Sequence, residues 1–217
     1  MYGFCIILVK KRMGGGAVAW EGLSWRDRRF GEEDWSDSEL SGCTFEGCSF
    51  TGGSFAGSLL RGCVFLRCSF RFASFSGARA QRCTFAGCSF DEANLFGASF
   101  LECKCDGSGF GGANTTGLSL EGGSWASCCL AGVSFQNASL QGAAFPQADL
   151  RGCSFRKADL RGCDLTRALM QGCDLTGADL RGAKLRGVDV RGLTLKDALI
   201  DLEGAADLAE ALGCRLA

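Results

Sequence analysis

LRGCSFRKADLRGCDLTRALMQGCDLTGADLRGAKLRGVDV, residues 150–190, places a large apolar residue at every fifth position: Leu150, Phe155, Leu160, Leu165, Met170, Leu175, Leu180, Leu185 and Val190. Two places before each stands a small residue, in most cases Ala or Cys. Two places after it Gly is the commonest choice. A helix repeats every 3.6 residues and a strand every 2, so neither produces a rhythm of five. A fixed short period instead marks a solenoid, whose repeats bury their apolar faces only against their neighbours.

Extended outward, the same ruler runs without insertion from Trp20 to Ile200. Only Ala80, Cys105 and Thr115 on it are not large and apolar. All four Trp and fourteen of the seventeen Phe lie on it, which removes chance as an explanation. At the small position the first repeats carry Arg28 and Glu33, as a capping coil facing solvent tolerates. A weaker zone spans Cys103 to Trp125.

Both ends depart from the rhythm. Residues 1–19 read as a flexible lead-in. The apolar run Phe4–Val9 is too short to cross a bilayer, and its basic residues follow it rather than precede it as in a signal peptide. After Ile200 a helix pattern begins. Asp201 is its expected N-cap, Glu203 suits the first turn, and Gly213 suits the stop. Ala205, Leu208 and Leu212 share one face of that helix, and Glu203, Asp207 and Glu210 another. The domain reading is therefore 1–19 flexible segment, 20–200 repeat array, and 201–217 helix and tail.

Composition excludes several chemistries. With no His among 217 residues, a nucleophile–His–acid set cannot form, and the commonest metal ligand is missing. A formal charge of −1 gives no broad basic surface for nucleic acid. Asp149, Asp159, Asp164, Asp174, Asp179 and Asp189 each precede a ruler residue, so they point outward or bond backbone at a corner. No enzyme, cofactor or resident metal is expected, nor any membrane contact.

The pattern resembles the pentapeptide-repeat family, consensus A(D/N)LXX, at Ala148-Asp149-Leu150, Ala158-Asp159-Leu160, Ala178-Asp179-Leu180 and Ala93-Asn94-Leu95. The resemblance covers about residues 20–200. It implies an all-β fold, a right-handed quadrilateral β-helix of about nine coils, followed by a short C-terminal α-helix. Four pentapeptides make one coil, so residues 20 apart stack at about 4.8 Å. Phe45, Phe65 and Phe85 then form one inner column, and Phe50, Phe70, Phe90 and Phe110 a second. Eleven of the fifteen Cys fall on the small inward position, the exceptions being Cys5, Cys105, Cys129 and Cys214. Buried thiols in a reducing cytosol act there as small hydrophobes; disulfides or a metal ladder are the alternatives.

Residues 186–216 also resemble the C-terminus of the quinolone-resistance pentapeptide proteins, the Qnr and MfpA group. That resemblance implies a cytoplasmic homodimer built by the terminal helix through Leu202, Leu208, Leu212 and Leu216. It implies a DNA-like rod that binds DNA gyrase and topoisomerase IV and protects them from fluoroquinolones or related poisons, without contacting nucleic acid itself. The alternative for the leucines is a helix that only caps its own last coil. The alternative for the whole is a scaffold solenoid with another protein partner. Loops that bulge from the coil in several members of the group have no place in this register. Candidate acidic patches facing gyrase are Glu32, Glu33, Asp34, Asp37 and Glu39 near the start, and Glu203, Asp207 and Glu210 near the end.

Overall fold

The computed structural model describes residues 11–12, 18–31 and 33–215. The chain winds as a right-handed, four-sided parallel β-solenoid closed by one short helix. On one side β1 (Lys11–Arg12), β2 (Val18–Glu21), β4 (Glu39–Ser41), β6 (Leu59–Arg61), β8 (Arg79–Gln81), β10 (Ser99–Leu101) and β11 (Ser119–Glu121) form a seven-stranded sheet. On the next side β3 (Ser24–Arg26), β5 (Thr44–Glu46), β7 (Val64–Leu66) and β9 (Thr84–Ala86) form a four-stranded one. The remaining two sides are stitched by single bridges such as Arg29↔Ser49 and Asp34↔Ser54. Every parallel pair is 20 residues apart, as in Phe45↔Phe65 and Leu40↔Leu60.

Regular strand pairing covers about five turns, from Ala19↔Glu39 to Ser99↔Ser119, which is fewer than the nine coils expected. Beyond Glu121 the same step continues only as isolated bridges, ending at Asp179↔Leu199. Each side there is one pentapeptide long and leaves a single residue in ladder geometry between two turns.

Hydrogen bonding explains the consensus. A repeat of five has five N–H groups to satisfy, since a buried unpaired one is costly. Around Leu150 the ladder takes Asp149 N to Cys128 O, Leu150 N to Leu169 O and Gly152 N to Gln171 O, and the corner takes Cys153 N to Leu150 O. The fifth, Arg151 N, donates to the side chain of Asp149. Ser36, Phe96, Thr116, Thr166 and Thr176 donate to Asp34, Asn94, Asn114, Asp164 and Asp174 in the same way. An Asp or Asn before the ruler residue is thus a backbone ligand. Corner residues two places after the ruler adopt positive φ, from 51° at Arg82 to 81° at Gly192, and this conformation favours Gly.

The interior is a continuous stack. Phe50, Phe70 and Phe90 lie nearly parallel with centroids 5.1 and 4.9 Å apart, and Phe45, Phe65 and Phe85 at 4.8 and 4.9 Å. Neighbouring columns meet edge to face, as Phe65 and Phe70 do at 5.3 Å, which suits the ring quadrupole. The aromatic stack yields to aliphatics through an irregular middle. Cys105 is small, Thr115 donates its hydroxyl to Ser134 O, and Trp125 supplies the missing volume. Gly123, two places before that indole, sits at φ 77°, where a Cβ would come within 2.1 Å of Cys103 O.

All eleven Cys at the small position are buried free thiols, and Cys105 is buried as well. Many donate to carbonyls: Cys153 to Leu130 O at 3.0 Å, Cys163 to Leu140 O at 2.9 Å, Cys173 to Leu150 O at 3.0 Å. Burial pushes the Cys153 and Cys163 thiols up to about 12, so they stay protonated.

Both ends of the ladder are covered. Lys11 and Arg12, expected within the flexible segment, pair antiparallel with Ala19 and Val18 along the first open edge. The other described residues of that segment, Val18 and Ala19, belong to β2, and the rest lie outside the described residues. At the far end α1 (Leu202–Ala211) follows Asp201, its N-cap as expected. Asp201 caps it through Gly204 N at 2.9 Å and also accepts from Gly182 N of the last coil at 2.6 Å. Gly213, at φ 85°, follows the helix as read from the sequence.

Candidate functional site

Side chains fill the rod, so its chemistry is confined to its surface and ends. A groove of about 420 Å³ lies between the last coil and α1, lined by Arg186, Val188, Asp189, Arg191, Asp207 and Glu210. Among the described residues no group of three or more His, Cys, Asp or Glu is placed to hold a metal ion. No helix there is long and apolar enough to cross a membrane.

The candidate acids fall at opposite ends. Glu33, Asp34, Asp37 and Glu39 lie on the first coils, and Glu203, Asp207 and Glu210 on α1; Glu32 lies outside the described residues. Bridges from Asp34 to Asn114 and from Ser134 to Thr194 separate the groups by some eight steps, roughly 40 Å at the inter-strand spacing. Several are occupied within the chain. Glu39 faces Arg61 at 3.5 Å, and hydrogen bonds from Ser36 hold the Asp34 carboxyl below its usual range. Asp207 accepts from Leu185 N at 3.0 Å, in place of the coil that would follow. Glu33, Asp37, Glu203 and Glu210 are the more freely disposed acids.

The Asp residues before the ruler also grip arginines two places on. Arg151 and Arg161 each present Nε and Nη2 to Asp149 and Asp159, at 2.6–2.8 Å, and Arg181 and Arg191 do the same to Asp179 and Asp189. These guanidiniums hold Asp149, Asp159 and Asp179 below the usual carboxylate range and Asp189 at about 2. Asp174 also falls to about 2, through the Thr176 hydroxyl and then Arg156. A carboxylate with a depressed folded-state pKa stabilises the fold above its unfolded value, near 4, and ceases to do so as pH falls through the folded value. Thermal midpoints are therefore expected to be flat from about pH 5 to 8, where no His titrates, and to drop between about pH 4 and 2. Calorimetric melts across that range check this; a transition centred near pH 6 would contradict it.

The leucines of the terminal helix divide into two sets. Leu208 packs on the core of its own chain, whereas Leu202 is 91% exposed and Leu212 65%. Leu199, 52% exposed, lies beside the helix start, and Leu216 lies outside the described residues. Below them the last ruler residues Leu195 and Ile200 are only partly buried. Leu208 caps the coil, while Leu199, Leu202 and Leu212 stand free.

Two residues escaped the sequence reading. Phe72 is 58% exposed and Phe96 53%, whereas every other described Phe is buried on the ruler. Their signal was present: both step off the five-residue register.

The chain matches the family described as Pentapeptide repeats, in 8 copies, over residues 38–77, 54–87, 73–107, 128–167 and 163–199. The unmatched residues 108–127 hold Thr115, Gly123 and Trp125. No curated protein matches it. Among solved structures, a trypsin-treated variant of QnrB1, a plasmid-mediated fluoroquinolone resistance protein, superposes with a TM-score of 0.82 at 22% identity. That match covers 92% of this chain and 100% of the other. Full-length QnrB1 gives 0.75 at 21% identity, covering 90% and 99%. At such identities the likeness is one of fold.

Proposed function

This chain belongs to the pentapeptide-repeat family, and from that premise we propose that it is a cytoplasmic, homodimeric binding protein for bacterial type II topoisomerases. It engages DNA gyrase and topoisomerase IV as a DNA-shaped rod and protects them from fluoroquinolones or related poisons. It is not an enzyme. The observation that carries the reading is the extent of the fold match. A protein of fluoroquinolone resistance superposes over 92% of this chain. The resemblance of residues 186–216 to the Qnr and MfpA group supports it. Exposed Leu202 and Leu212, above a coil whose last apolar residues are half-covered, form the self-complementary patch that a twofold dimer buries.

Gyrase supercoiling in the presence of a fluoroquinolone tests this. Added at sub-stoichiometric to micromolar levels, the chain is expected to restore supercoiling. Failure to do so, with no gyrase retained on the immobilised chain, would sink the reading. A second reading, a scaffold solenoid for another protein, draws on the use of Glu39 and Asp207 in the chain's own contacts. It predicts supercoiling under drug that does not respond to the protein.

A further inference from the structure

One long side of the rod lacks charge along its middle coils, between Asp34 at one end and the Arg156–Asp174 pair at the other. Ser54, Ser74, Asn94 and Asn114 succeed one another along it. Ser134 and Ser154 continue the row across Thr115, whose hydroxyl donates to Ser134 O. The outward positions two residues on, from Ala56 to Gln136, are uncharged too. In the same coils the other sides carry Arg61, Arg79, Glu102 and Lys104. The exposed rings flank this charge-free side. Phe72 is on the corner where it begins, and Phe96 is one residue past Leu95, towards its far corner.

Neither ring is explained by the fold. Neither joins the aromatic stack; the one aromatic contact is the guanidinium of Arg71, 5.3 Å from the Phe72 centroid. Phe72 also occupies a corner at φ 58°, where six equivalent coils place Gly, from Gly52 to Gly192, and the next coil places Glu92 at the same angle. A bulky residue in left-handed conformation is strained, and an exposed phenyl gains nothing from burial. Local rules broken without structural return are a mark of function. Aromatic anchors on a charge-depleted patch are the composition of a protein interface core. Nucleic acid would need a row of cations for its phosphates, and the middle coils of this side offer only Arg71 at the corner.

We infer that the uncharged side bearing Phe72 and Phe96 is the principal docking surface for the protein partner, which inserts the two rings into apolar hollows. The inference rests on the topoisomerase reading for the identity of that partner. It reassigns the contact from the acidic ends to the long side. Binding through it covers few ions, Arg71 and Glu92 beside Phe72 among them, so affinity varies less with salt than attachment through acidic patches, which weakens steeply as salt rises.

Gyrase holoenzyme titrated onto the immobilised full chain, at low and high salt, tests this beside Phe72→Gly and Phe96→Ser variants. Each variant is expected to bind about tenfold more weakly or worse. Its melting temperature should be unchanged, or up to about 2 °C higher for Phe72→Gly, whose substitution relieves the corner. Wild-type affinity in both variants, or binding lost only on raising salt, overturns the inference and leaves the topoisomerase reading standing. Variants that melt several degrees lower also overturn it, by returning the rings to the fold. A wild-type chain that does not bind gyrase removes the topoisomerase reading, and with it the partner assigned here.

Discussion

Phe70→Ala is expected to destabilise the protein by about 3–5 kcal/mol, the range for deleting a fully buried aromatic side chain. The ring is fully buried between Phe50 and Phe90 and meets Phe55, Phe65, Phe75 and Phe85 edge-on. It is therefore packed by rings above, below and on its flanks. Relaxation into the void is limited because every neighbour is fixed by its own ladder bonds. A fall of roughly 10 °C in thermal midpoint follows for a domain of this size. Since each coil contacts only its neighbours, amide exchange should accelerate most in the coils holding Phe50, Phe70 and Phe90. A change below about 1 kcal/mol would mean that the stack contributes area alone and no packing.

The second large effect concerns assembly. In the double variant Leu202→Asp, Leu212→Asp, light scattering is expected to report a monomer, and supercoiling in the presence of drug to stay suppressed. The two exposed leucines would bury apolar area against a second copy, and two carboxylates brought together about a twofold axis oppose that contact. Leu208 is left intact because it packs on the core of its own chain, and changing it would confound assembly with stability. The coil itself should melt close to wild type, since neither leucine is buried. A variant that remains dimeric would place the contact elsewhere. A monomeric variant that still protects gyrase would detach dimerisation from function.

Much of this molecule is legible in one dimension, because the five-residue period is also the length of one side. Trp20 to Ile200 could be assigned an interior position by counting, and Asp201 and Gly213 could be read as helix ends from capping chemistry. The extent of regular strand pairing was not legible. Whether three residues or one on a side enter the ladder depends on backbone geometry that Leu60 and Leu160 encode alike. The destinations of the acids were hidden for a different reason. Asp207 looks like a solvated helix face until the open edge at Leu185 is placed beneath it. Leu208 and Leu212 share a helical stripe, yet only the tilt of α1 against the last coil decides which is covered. Close approach sets that tilt: a Cβ at Gly204 would come 2.8 Å from Ile200 Cγ1. Phe72 and Phe96 lie off the five-residue period, which assigns a place only to the residues on it.

The buried thiols give the rod an internal axial scale. Cys43, Cys63, Cys83 and Cys103 mark successive coils, and Cys153, Cys163 and Cys173 divide the later ones at half-coil intervals. Each is shielded from reagents as long as its own coil is shut, whereas Cys129 and Cys214 are open to them at all times. The order in which an alkylating agent reaches the shielded sulfurs therefore records where along its length the protein first comes apart.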